Sequence, residues 1–495
     1  MLNQRLSPFI ALRDSPLQLA AACGIGLLLG AACVWFSPLW VLGALAAGAI
    51  VVAILQRPEI ALLGLVTLTS SFFTPETVPS IDIGSRTLYL TDGVLLALLA
   101  LIVLRRMAEP NFRISRTPLD WPLLAFYSVI MLSTVVAILQ GSLTLSYSLR
   151  DIRTVNYYLA FFAVTNLVRE DRQLRFLVKG LLALATIVAA VTIAQFVLGG
   201  SITLLPGRVE TLYTGATSYG GITRIVSPGR SLMMVSFITT TAILVLNGFR
   251  PISLLGFLQW ALVGMAVVVT FLRSYWATLG ASLLILAYLV RGQDRKRLFG
   301  WGLVVLFSAV VVLLPAMDDP RSQVARLVNA SLVRLGTLAS GETLQEASLQ
   351  WRYVENHYAL RQIASHPLLG LGLGARYRPW DPRIDYRGML WDATRFIHNG
   401  HLAVLLASGV AGYLCLMWLS VTFLARGFRY WRRLASPEMR GIVLGFVLTY
   451  LAVVFGAVVN SSFLSSNWTP LFAVIMGISE VGLTLDGKSQ QIHHP

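Results

Sequence analysis

The sequence predicts an all-α, polytopic membrane protein, a bundle of about 12 to 14 spans carrying one large, partly helical external loop. Three observations carry that class. Of the 495 residues, 56% are hydrophobic and 13% charged, with a mean hydropathy of +0.71, a balance far from that of soluble enzymes. Apolar runs of roughly 17 to 25 residues, the length that crosses a bilayer, recur from end to end. Between them, basic residues gather in alternate connections, the pattern that sets orientation.

The predicted spans lie near 15–36, 38–55, 59–74, 90–104, 121–140, 154–168, 174–198, 231–247, 253–272, 275–290, 299–315, 399–425, 441–462 and 468–484. Leu19–Cys23 faintly resembles a lipoprotein cleavage site, but the apolar run continues past Cys23, so the first span is read as uncleaved. Arg105, Arg106, Arg113 and Arg116 occupy one connection, and Arg169, Arg172, Arg175 and Lys179 a second. Arg291, Arg295, Lys296 and Arg297 occupy a third, and Arg426, Arg429, Arg432, Arg433 and Arg440 a fourth. All four alternate as cytoplasmic loops, which puts both termini in the cytoplasm and the connections 199–230, 272–275 and 316–398 outside.

The organisation is then a bundle over 1–315, an external loop domain over 316–397, a second part of the bundle over 398–484 and a cytoplasmic tail over 485–495. Within the loop, Leu344, Ala347, Trp351, Val354 and Tyr358 form the apolar stripe of an amphipathic helix, with Glu342, Glu346, Arg352, Glu355 and Arg361 on its polar face. That helix should stop at His366-Pro367, and Leu369–Gly374 should be flexible backbone and not another helix turn, a glycine-rich hinge that invites the hypothesis of a lid without the sequence deciding it.

The net charge of +16 comes from basic clusters spread over separate turns, which points to membrane lipids and not to nucleic acid. Cys23, Cys33 and Cys415 all fall within apolar runs, so no disulfide framework is legible. The chain has no HExxH pattern, P-loop lysine or Asp-rich metal signature, and Gly370–Gly374 lacks the context of a dinucleotide fingerprint. Neither a metal nor a cofactor is expected.

Chemistry should reside where charge defies the orientation rule. Ten arginines lie between Arg321 and Arg395, and Arg208, Arg224, Arg230 and Arg273 also face outward. A guanidinium fork there suits phosphate or carboxylate oxygens. The competing reading pairs the loop arginines with the loop acids Asp318, Asp319, Glu342, Glu346, Glu355, Asp381, Asp385 and Asp392. Arg273 sits in a nearly loopless turn, Phe271–Trp276, where a charge requires a partner or cavity. Arg224 lies on a Gly- and Pro-constrained approach to the next span. His398 opens the span after the loop, and the partial positive charge of a helix N-terminus favours a neutral ring able to take a proton.

The arrangement resembles the bacterial O-antigen ligase and O-antigen polymerase superfamily. The resemblance rests on Trp351-Arg-Tyr-Val-Glu-Asn356, His366-Pro through Gly374, His398-Asn399, Ser408-Gly-Val-Ala-Gly412, the outward arginine before a span and the Leu-Arg-Ser turn, and it covers about 200–425. It implies an inner-membrane glycosyltransferase that moves a glycan from undecaprenyl diphosphate, on the periplasmic side and without a metal, to an acceptor hydroxyl. The acceptor is lipid A core for a ligase, placed first, or a second lipid-linked glycan for a polymerase. By position, the resemblance makes His398 the general base and Arg224 and Arg273 the ligands of the donor diphosphate. Arg352 takes a supporting contact, Asn399 orients His398 or caps the helix, and Arg230 is the alternative to Arg224. The family pattern has twelve spans, so an early run is re-entrant or the chain belongs to the polymerase branch. A transporter or flippase for a lipid-linked sugar is the competing class, with outward arginines as its funnel; the acids, however, lie in loops and at span ends instead of at mid-membrane.

Overall fold

A computed structural model describes residues 56–74, 77–83, 86–200, 202–214, 217–247, 254–316, 323–339, 347–380 and 392–493. The first two predicted spans, Cys23, Cys33 and the acids Asp318, Asp319, Glu342, Glu346, Asp381 and Asp385 lie outside these residues. The chain divides into two units, Met1–Pro58 and Glu59–Pro495, and nearly all described residues belong to the second.

Each of the twelve remaining predicted spans is helical. The first part of the bundle comprises α1 (Pro58–Ser70), α2 (Leu90–Ala108), α3 (Asp120–Leu139), α4 (Leu145–Asn156), α5 (Ala160–Leu167) and α6 (Asp171–Leu198). It continues with α7 (Arg230–Leu246), α8 (Leu254–Val269), α9 (Arg273–Leu289) and α10 (Gln293–Ala316). The external loop contributes α11 (Gln323–Ala339) and α12 (Ala347–Ser365), and the chain ends in α13 (Gly400–Tyr430), α14 (Pro437–Gly456) and α15 (Thr469–His493), the last running on into the segment read as a tail. By length and composition, α3, α6, α13, α14 and α15 can each cross a membrane unaided. The span predicted at 154–168 is interrupted, since the amphipathic α4 passes through a 3-10 turn, Tyr157–Leu159, into α5.

The class is all-α, with two small departures in connections between helices. β1 (Ser80–Ile83) pairs antiparallel with β2 (Arg86–Tyr89), and β3 (Arg208–Thr214) pairs with β4 (Thr217–Val226). The β3 and β4 sequences are rich in Thr, Val, Ile and Tyr, which suit a pleated surface.

The bundle centre is the α7–α14 pair. Gly441 and Gly445 allow this approach, because a Cβ at either would lie 2.5 Å from the Cα of Ile243 or 2.4 Å from that of Thr239. Small residues at four-residue spacing are how helices pack closely in lipid, where no hydrophobic drive separates protein from tail. Leu96, Leu132, Leu139, Leu284, Trp418 and Phe455 are exposed on the spans, as a lipid-facing surface requires. The basic connections meet at one end: Arg169 donates to the Arg113 carbonyl, Arg175 pairs with Glu438 at 2.9 Å, and Arg432 donates to the Leu289 carbonyl. That common end is what the alternation of basic clusters demands.

Two expectations for the loop are corrected. Glu355 does not lie on a solvent face of α12; it is 1% exposed and Ala359 is buried, while Val354 of the expected apolar stripe is 44% exposed. The helix docks through Ala359 onto Ala403 and Leu406 of α13 and accepts a buried carboxylate whose charge is answered locally. The glycine-rich segment after α12 is no free hinge. α13 breaks at Gly409, with φ 63°, and the backbone groups released there are taken by that segment. Leu371 N–H donates to Leu406 O at 2.7 Å, Gly372 N–H to Ala407 O at 3.1 Å, and Val410 N–H to Pro367 O at 2.8 Å. Ser133 Oγ of α3 donates to Ala407 O at 2.7 Å and Leu373 N–H to Thr134 Oγ1 at 3.1 Å. Irregular backbone within a membrane bundle persists only when paired in this way.

Candidate active site

His398 precedes α13, whose cap is Asn399: its side chain accepts from His401 N–H at 3.0 Å and Leu402 N–H at 3.1 Å. Of the two roles open to Asn399, the structure displays the cap. Glu355, reaching from α12, accepts the His398 backbone N–H at 2.9 Å and lies 3.0 Å from Nδ1. A carboxylate at Nδ1 makes that nitrogen the donor and leaves Nε2 as the acceptor. The Phe396 ring stands edge-on to the imidazole at 4.9 Å and limits its rotation.

Glu355 has a second partner in Arg378, 3.9 Å away, and both side chains are almost wholly buried. The Arg378 guanidinium also lies 4.3 Å over the Trp351 ring, and its Nε donates to the Ala393 carbonyl. Tyr377 beside them donates to the Phe396 carbonyl at 3.0 Å, and burial together with the Glu355 charge pushes its phenol well above the ordinary range. The carboxylate is thereby fixed between a permanent cation and the histidine.

His398 lines a cavity of about 670 Å³, and so do Arg224, Arg230 and Arg352. Arg224 occupies β4 opposite Glu210 in register, a strand instead of the expected loop approach. Arg230 opens α7 and donates to the Ser227 carbonyl at 3.2 Å. Arg273, the first residue of α9, is half-buried and not among the lining residues, although Leu272 and Tyr275 on either side of it are. The turn that presents Arg273 is strained, because Phe271 before it has φ 50° and is buried.

The sequence reading missed Glu355 as a site residue, along with Arg378 and a further group on the cavity wall from α4. There Asp151, beside Arg150 and Arg395, has its carboxyl raised to about 6 by burial, against the pull of both arginines. Arg395 pairs with Asp392 at 2.9 Å and lies 3.7 Å over the Tyr147 ring. Burial works against ionised Asp392, but hydrogen bonds from Thr394 and Arg395 prevail and hold its carboxyl below the ordinary range. For Arg378 and Arg395, then, pairing with the loop's own acids is what the structure displays. Arg150, Arg153, Arg224, Arg230, Arg352 and Arg395 still outnumber Asp151 and Asp392 on the wall, so the cavity favours anions.

These features define a polytopic membrane protein with a cationic cavity and a carboxylate-held histidine at its edge. Residues 258–417 match the family model described as O-antigen ligase, and they fall within the stretch on which the resemblance of the sequence rests. The chain is also similar to an O-antigen ligase of Pseudomonas aeruginosa, 31% identical over 137 residues, which are 28% of this chain and 32% of the relative. The matched region thus spans about a third of that curated relative's length.

Proposed function

We propose that the protein is a glycosyltransferase of surface-polysaccharide assembly that moves a glycan from undecaprenyl diphosphate to an acceptor hydroxyl on the periplasmic side of the inner membrane. The observation that carries this reading is the Glu355–His398 pair on a cavity shared with Arg224, Arg230 and Arg352. The acceptor hydroxyl gives its proton to His398 Nε2 as its oxygen bonds to the anomeric carbon. The bond from that carbon to the diphosphate breaks, and the diphosphate leaves as an anion. Glu355 stabilises the imidazolium so formed and holds the ring in place, as the carboxylate does in hydrolase triads. Guanidiniums of Arg224, Arg230 and Arg352, with Arg273 beside the wall, take the leaving charge. Lipid A core is the acceptor for the ligase reading.

The test uses purified protein in detergent with labelled undecaprenyl diphosphate oligosaccharide, alone or with lipid A core, and products resolved on a gel. A single shift that requires lipid A core supports the ligase, and a ladder from donor alone assigns the polymerase. No transfer in either tube from folded protein counts against both acceptors and turns the reading to transport or to a different acceptor.

A further inference from the structure

In the connection between α14 and α15, every residue of Asn460-Ser-Ser-Phe-Leu-Ser-Ser-Asn-Trp468 except Phe463 lines the cavity. This connection carries no charge. Its apolar members fasten it down: Phe463 is buried and its carbonyl accepts from Tyr158 Oη at 3.0 Å, while Trp468 stacks on Phe472 at 5.5 Å. The backbone is closed by Ser462 N–H to Asn460 O at 2.8 Å and Trp468 N–H to Ser465 O at 2.9 Å. Ser461, Ser465, Ser466 and Asn467, by contrast, are half-buried and their side chains make no hydrogen bond among the described residues.

A rigid loop holding unused hydroxyls and a carboxamide against a cavity is preorganised for a ligand rich in neutral donors and acceptors. The loop also abuts the reaction centre. Gly400 N–H donates to Ala457 O at 2.7 Å, and a Cβ at Gly400 would lie 2.8 Å from Asn460 O, two residues from His398. The arginines account for the anionic part of a lipid diphosphate, but they leave its sugars without specific partners.

We propose that Ser461, Ser465, Ser466 and Asn467 form a saccharide subsite that binds the neutral, hydroxyl-rich sugars of the lipid-linked donor beside His398. The subsite rests on the glycosyltransfer reading above, and the experiment separates the two. Binding of undecaprenyl diphosphate oligosaccharide and of bare undecaprenyl diphosphate to the full-length protein in detergent is compared for wild type, Asn467→Ala and the Ser465→Ala/Ser466→Ala double variant, with melting curves as the folding control. Wild type should bind the glycan-bearing lipid more tightly. Each variant should lose roughly three- to tenfold for that lipid, the size of one or two hydrogen bonds, and nothing for the bare lipid. Equal loss for both lipids, or no loss, overturns the subsite. Wild-type protein that binds neither lipid overturns the glycosyltransfer reading itself.

Discussion

A buried carboxylate is tolerated only when its charge is answered, and Glu355 is answered by Arg378, by a backbone N–H and by His398. Replacing it with Gln keeps the shape but gives Nδ1 a partner able to present either an amide N–H or its carbonyl oxygen, so the tautomer is no longer set. Glu355→Gln should lower kcat by about 10²–10⁴-fold with little change in KM, read from initial transfer rates; an unaltered kcat removes Glu355 from the mechanism. Asp151 yields a prediction in pH. Its carboxyl rises from 3.8 to about 6 on folding, so between those values the native state holds more protons than the unfolded chain. Stability from this group is therefore present at the acid end and declines as pH rises through that window. Melting midpoints should show this decline in wild type and lose it in Asp151→Asn; parallel curves would contradict the assignment. At this scale the sequence displayed His398 by its place before a span. Glu355 stayed hidden because helical periodicity treats any Glu as solvent-facing, and only the docking of α12 reverses that.

Among the elements, α13 is the least regular and the most constrained. Gly409 has a positive φ, and a Cβ there would meet the Leu368 carbonyl at 2.2 Å, as one at Gly370 would meet the Leu406 carbonyl at 2.4 Å. Gly409→Ala should destabilise the protein by roughly 1–3 kcal/mol or more, through strain and lost hydrogen bonds, measured as a lowered melting midpoint in detergent. A neutral substitution would mean that the break is not required. At the opposite end, Arg426 of α13 makes two 2.9 Å hydrogen bonds to Glu480 of α15, whose side chain is 3% exposed. Arg426→Ala leaves the buried Glu480 carboxylate without its partner and should cost about 3–5 kcal/mol in the same assay. The spans were legible because each had to satisfy its own backbone within lipid, which demands a continuous apolar run. The break at Gly409 was not, since Ser408-Gly-Val-Ala-Gly412 reads equally well as helix until a second segment supplies the missing partners.

At the level of the whole molecule, the hydrogen bonds between residues 367–373 and the α3–α13 pair argue against a lid hinged on the glycines. Amide exchange at Leu371, Gly372, Leu373 and Val410 should be slow without any ligand, and rapid exchange there would restore the hinge. The structure gathers the basic clusters at one end of the bundle while the cavity collects the connections of the other.

The sequence by itself determined that the chain is a membrane bundle and where the apolar helices of the described residues lie, and it marked several arginines and His398 as candidates, because hydropathy and charge asymmetry are local, additive properties of a chain facing lipid. Only the tertiary structure decided which of those residues share a cavity, that Arg224 rides on a strand, and that Glu355 faces His398 from 43 positions earlier in the chain. Those outcomes depend on how helices distant in sequence pack and which buried charges answer one another, and no local pattern encodes that pairing.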